Sequence, residues 1–132
     1  MAGSKWASDT LLDLLLQYLE DNVDRISVCE EGCTTYEHAT STKGVATGKK
    51  LAISSTPTFT GPVDDAILTG RKTTIDEEAA ITVDANGTPA EVCLCKSGTT
   101  TFLYKTSCTG AALVSGNTVT VPAWKINIPD PT

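Results

Sequence analysis

Between residues 9 and 22 the apolar positions recur at helical spacing: Leu11, Leu12, Leu15, Leu16 and Leu19 gather on one side, with Asp13, Gln17 and Glu20 toward the other. The pattern predicts an amphipathic helix over residues 5–22, started by Ser4 or Ser8 and ended at Asn22. Its leucines are expected to close one end of a β core, because a membrane-surface helix would carry a basic polar face. After residue 24 the period shortens to two. "RISVC", "KKLAIS", "RKTTID", "AAITVDA", "AEVCLCK", "TTFLYKT" and "AWKINI" read as strands, with turns at Asn86-Gly87, Ser97-Gly98-Thr99 and Ser115-Gly116-Asn117. "EEGCTTYEHATSTKG" reads as a loop. "STPTFTGPVDDAILTG", with Pro57 and Pro62, reads as a long irregular connection of the kind that carries function or touches a partner.

The expected fold is therefore mainly β, an antiparallel β-sandwich or small barrel of about seven or eight short strands with one N-terminal helix. From Gly70 onward the strands should follow one another as a meander. One domain is expected over residues 1–132: the helix at 5–22, the β-domain at 25–128, and an extended tail at 129–132, where Pro129 and Pro131 remove backbone donors.

Composition narrows the function. Aromatics supply only 5% of the chain, so the core is thin and rich in β-branched residues. Ten basic residues against sixteen acidic ones give a net charge of −6, and no field draws the chain to nucleic acid or to an anionic membrane. The run "LLDLLLQYL" is interrupted by Asp13 and Gln17 and preceded by Asp9, unlike a secretory leader, and it is too short to span a bilayer, so synthesis in a cytoplasm without a signal peptide is expected.

Catalytic chemistry finds little to stand on. His38, next to Glu37, reads as a solvated loop residue, because a catalytic histidine needs an oriented partner and a nucleophile. "GVATGKK" has one residue too few between its glycines for a phosphate loop, and Lys50 stands where a hydroxyl should be. No enzyme activity and no cofactor are expected.

The cysteines are Cys29, Cys33, Cys93, Cys95 and Cys108, an odd number that leaves at least one thiol without a partner in its own chain. "CEEGC" and "CLC" could in principle supply four ligands to zinc, but neither is the C-x-x-C knuckle, and no metal is expected. Cys93 and Cys95 lie two apart on a strand, about 7 Å between Cα atoms, at the limit for bridging each other. Cys108 and Cys29 are candidate partners for them. Cys33 sits in a turn-rich loop where another chain could reach it. The pairing stays open, with the odd thiol favouring one intermolecular bond.

The leucine-rich helix, the loop "TTYEHATST", "GRKTTI", "GTPAEVCL" and the closing "FLYKTSCTGAALVSGNTVTVPAWKINIPDPT" occur in an order that resembles a family of small structural proteins of tailed bacteriophages. In that family an "ALLDxxLxxL" helix precedes a "TTYAEATST"-like loop, "GRKVTV", "GTATHVAL" and "TSGNTVTxPAWDIxIPDP". The likeness is densest from Gly70 to the end. It implies a helix-plus-β-sandwich fold and a non-enzymatic virion component: a minor capsid or decoration protein on the outer shell, touching the major capsid protein and other virion proteins, homo-oligomeric and in the first instance trimeric. A collar, neck or tail-fibre component and a host-surface carbohydrate-binding module are the alternatives. The chain departs from the family pattern at Cys93 and Cys95, at Glu91 where histidine is common, and at Lys125 where an acid is common. For a particle made in a reducing cytoplasm and released into an oxidising medium, surface thiols on this strand are expected to crosslink neighbouring subunits after assembly.

Overall fold

A computed structural model describes residues 6–55 and 57–131. Ser4 and Lys5 of the expected helix and Thr132 of the expected tail lie outside the described residues. The elements run α1 (Asp9–Asn22), β1 (Arg25–Cys29), α2 (Tyr36–Thr40), β2 (Lys50–Ser54), β3 (Phe59–Asp64), β4 (Arg71–Ile75), β5 (Glu78–Thr82), β6 (Glu91–Lys96), β7 (Thr101–Ser107), β8 (Thr118–Val121) and β9 (Trp124–Ile128). Every strand pair is antiparallel, and the described strands form open sheets, not a closed barrel. The mainly β architecture with one long N-terminal helix is the one the alternating pattern predicts.

The chain forms two compact units, each assembled from separate stretches. The smaller comprises Met1–Asp21, Thr58–Glu77 and Ala123–Thr132, and the larger Asn22–Pro57 and Glu78–Pro122.

In the smaller unit the sheet order is β3-β4-β9. Register sets Arg71, Thr73 and Ile75 opposite Ile128, Ile126 and Trp124, so these six share one face. That face receives α1. The Arg71 guanidinium donates to both carboxylate oxygens of Asp13, at 2.8 and 3.1 Å, and to Asp64 at 2.8 Å. The buried Thr73 hydroxyl donates to Glu20 at 2.9 Å, which meets the demand of a polar group out of water. On the opposite face Lys125 Nζ and Asn127 Nδ2 donate to the buried Asp65 at 2.6 and 3.1 Å. Ser8 starts the helix, its Oγ accepting from the Leu11 N–H at 3.1 Å.

One strand here was not foreseen. β3 runs through the stretch that reads as an irregular connection, because Pro57 and Pro62 look like breakers. An edge strand tolerates proline, and the register slips between Thr60 and Val63, where Pro62 has no N–H to give. Gly70, at φ +89°, turns the chain into β4 beside Ile128 and Pro129, where a Cβ would collide with their backbone.

In the larger unit the main sheet has the order β2-β1-β6-β7, and β5 and β8 form a separate ribbon. Ser27, Cys29, Glu91, Cys93 and Cys95 occupy one face of the main sheet, and Ile26, Val28, Val92 and Leu94 the other. Helix α2 packs on the first face through Ala39 and Tyr36. Toward the second, Val119 and Val121 of β8 join Val28 and Val92 in lining a pocket of about 250 Å³, and Ala52 bridges to Val83 next to β5. This unit is sandwich-like.

The expected meander does not form. β6 and β7 are the hairpin closed at Ser97-Gly98-Thr99, but β5 pairs with β8, and β4 pairs with β3 and β9. Asn86-Gly87 closes no hairpin. Neither residue has positive φ, and Gly87 instead bridges to Leu113. The turn at Ser115-Gly116-Asn117 is present, with Gly116 at φ +92°, yet it is tied back to Val83 and does not join two paired strands. Short-range turn chemistry identified bends without saying which strands they join.

Candidate functional site

The register of β1 against β6 brings together what the sequence holds far apart. Cys29 ends β1, Cys93 sits in mid-β6, and Cys33 enters from the segment before α2. The sulfurs of Cys29, Cys33 and Cys93 all lie within 4.8 Å of one another. Cys95 belongs to the same buried cluster, closed over by Ala39, Tyr36 and Phe102. All four are essentially without solvent exposure, and Cys108, just past β7, is partly exposed.

These positions change the expected picture. Cys33 is not offered to another chain, and Cys93 and Cys95 are not surface thiols, because α2 and its leading segment cover that face of the sheet. All five cysteines are free thiols.

The covering segment is clamped by charge. Cys33 N–H donates to Glu91 Oε1 at 2.8 Å. Lys105, on β7, donates from Nζ to Glu91 Oε2 and to the Cys33 carbonyl, both at 2.8 Å. Burial alone would raise the Glu91 carboxyl, but Lys105 and the Cys33 N–H outweigh it and hold the acid below its usual range. Glu91 also lifts the Lys105 ammonium upward. Helix α2 is capped by Thr35, whose Oγ1 accepts from the His38 N–H at 3.1 Å, and His38 Nδ1 accepts from the Thr34 N–H at 3.2 Å. His38 thus organises the covering segment from within a short helix and not a loop.

Three of the thiols, Cys29, Cys33 and Cys95, are held toward their neutral form. The neighbouring Cys33 thiol favours the Cys29 thiolate, but Cys93 and burial override it and push Cys29 up to about 12. Cys33 is pushed up by Cys29 and by burial, and burial carries Cys95 up to about 11. Cys29 Sγ lies 3.4 Å from Ser27 Oγ and donates to the Ala39 carbonyl at 3.7 Å; Cys33 Sγ donates to the Glu30 carbonyl at 3.8 Å. Since the thiolate is the nucleophile, Cys29, Cys33 and Cys95 are not activated for attack.

A second feature lies on α1 in the smaller unit. Leu12 and Leu16 are buried, while Leu11, Leu14, Leu15 and Tyr18 are 55–62% exposed. At about 100° per residue the exposed four form a single stripe at i, i+3, i+4, i+7, rotated away from Leu12 and Leu16. Grouping Leu11 and Leu15 with Leu12 and Leu16 merges two stripes into one. Leu14 and Tyr18 are the signal that separates them.

The other sequence candidates find structural uses. Lys50 is paired with Asp84 at 2.7 Å, far from any phosphate-binding role. The two charged departures from the phage pattern are both partnered, Glu91 with Lys105 and Lys125 with Asp65. No described helix is long and apolar enough to cross a membrane. No family model, no curated protein and no solved structure matches the chain.

Proposed function

We propose that the chain is a non-enzymatic structural component of a tailed-phage virion, a minor capsid or decoration protein that binds neighbouring subunits of the shell. The observation that carries the reading is the exposed stripe of Leu11, Leu14, Leu15 and Tyr18 on α1. Covering such half-exposed side chains in a neighbour contributes about 1 kcal/mol each. The ordered phage-like motifs supply the context for which neighbours those are: the major capsid protein and further copies of this chain, a trimer being the simplest arrangement on a local threefold axis. Covalent locking between copies falls to Cys108 alone, because the other four thiols are buried. One accessible thiol joins chains only in pairs.

The test is a blot of purified particles, run with and without reductant after thiols are alkylated at lysis. The expected result is a band in the particle, on the order of hundreds of copies for a shell protein on local symmetry axes, with any reductant-sensitive species limited to a dimer. About a dozen copies would move the protein to the collar or neck, and no band would sink the virion reading.

One observation favours the carbohydrate-binding alternative. Trp6 is 82% exposed and shares a shallow pocket with Asp9 and Asp130, an aromatic face beside two carboxylates. A blank glycan array removes it.

A further inference from the structure

The arrangement of Cys29, Cys33 and Cys93 has a chemistry that the shell-binding role does not use. Thiolates bound to zinc at about 2.3 Å stand about 3.8 Å apart around a tetrahedron. Three sulfurs already mutually within 4.8 Å need only small side-chain rotations to reach that spacing. Cys29 and Cys33 are separated by three residues, inside the two-to-four range common to structural zinc sites. The third sulfur comes from another strand, which is why spacing along the chain did not reveal it.

We propose that Cys29, Cys33 and Cys93 form a structural site for a thiophilic divalent cation of the zinc type. Binding exchanges three S–H protons, released to solvent, for three metal–sulfur bonds, with no change of oxidation state. Cys95 belongs to the same buried cluster but lies outside the set of three mutually close sulfurs, so the three-thiol set is the site. The surroundings suit the ligation. Three thiolates on a divalent ion leave one net negative charge, and the Lys105 ammonium at the Cys33 carbonyl offsets the Glu91 carboxylate beside it. The Glu91 bond to the Cys33 N–H orients the ligand that arrives from the least regular segment, as supporting hydrogen bonds do around metal ligands. Soft sulfur donors select against calcium and magnesium, which take oxygen. The ion would staple the segment before α2 to β1 and β6, a contribution a thin core has reason to use.

The experiment is a titration of the full chain, purified under a non-chelating reductant and freed of metal, with Co²⁺ alone and then with Zn²⁺. It is followed by near-ultraviolet absorbance and by native mass spectrometry. One cobalt per chain with intense thiolate-to-cobalt charge transfer, displaced by zinc, is the expected result. Cys33→Ser should weaken binding at least tenfold, and Cys108→Ser should leave it unchanged. A folded, fully reduced wild-type chain that takes up neither ion overturns the proposal, and so does binding that survives Cys33→Ser. A metal-free wild-type mass lower by two hydrogens, showing a disulfide within the cluster, overturns it as well. The wild-type readings decide the question even if Cys33→Ser does not fold.

Discussion

The two units solve the same problem with different materials. The smaller one places an arginine at the centre: Arg71 holds Asp13 of α1 and Asp64 of β3, while on the opposite face Asp65 collects Lys125, Asn127 and two backbone N–H groups. The larger one buries aliphatic side chains on one face of its main sheet and thiols on the other, with Glu91–Lys105 beside the thiols and further ion pairs at Lys50–Asp84, Lys43–Glu30 and Arg25–Asp24. Charge fixes orientation at the cost of dehydration, whereas packed sulfur and methyl groups contribute by exclusion from water. The smaller unit, which holds the most strongly lowered carboxyl at Asp65, should therefore answer more to pH, and the larger one more to cavities and thiol chemistry.

The sharpest way to break this contrast is thiol labelling. In the native, metal-free chain a maleimide should modify Cys108 first, and the four cluster thiols should react on the order of 10³-fold more slowly or less, because they wait for opening of the fold. Mass spectrometry counts the labels, one when native and five in denaturant; several labels at equal rates would mean that the thiol face is not covered.

Next in size is Leu94→Ala, at a position without solvent exposure on the aliphatic face. It should cost about 2–5 kcal/mol, read as a lower urea midpoint at unchanged slope.

The pH response should come largely from the smaller unit. Lys125, then the Leu68 N–H, hold the Asp65 carboxyl well below the usual carboxylate range. A folded value below the unfolded one means that its stabilisation is complete above the unfolded value, near 4, and is lost as pH falls through the acid range. Asp65→Asn should flatten acid unfolding followed by circular dichroism. Glu91 and Asp24, also lowered, should leave a smaller residual slope, which Glu91→Gln reduces.

Smaller still is Ser8→Ala, which removes the acceptor for the Leu11 N–H and should cost about 1 kcal/mol of thermal stability. Leu15→Glu, on the exposed stripe, should change monomer stability by less than about 0.5 kcal/mol while abolishing association measured by sedentimentation or particle incorporation.

Much of the local structure was legible in advance. The 3.6-residue period marks α1, the two-residue period marks most of the strands, and Ser97-Gly98-Thr99 closes the β6–β7 hairpin, because each of these depends on residues near one another in the chain. β3 was hidden by Pro57 and Pro62, which behave as breakers except at a sheet edge. Asn86-Gly87 misled, since a sequence that tolerates a tight turn does not require one.

Read by itself, the sequence determined a mainly β chain with a leading helix, an acidic balance and five cysteines of unknown company. Only tertiary structure decided that Cys93 meets Cys29 and Cys33, that Glu91 and Lys105 clamp the covering segment, and that one apolar stripe of α1 is buried while another is left exposed. The reason is physical: helix and strand periods are set by short-range backbone geometry, whereas the pairing of β1 with β6 and the choice of a buried helix face are set by contacts between residues some sixty positions apart, which no local pattern encodes.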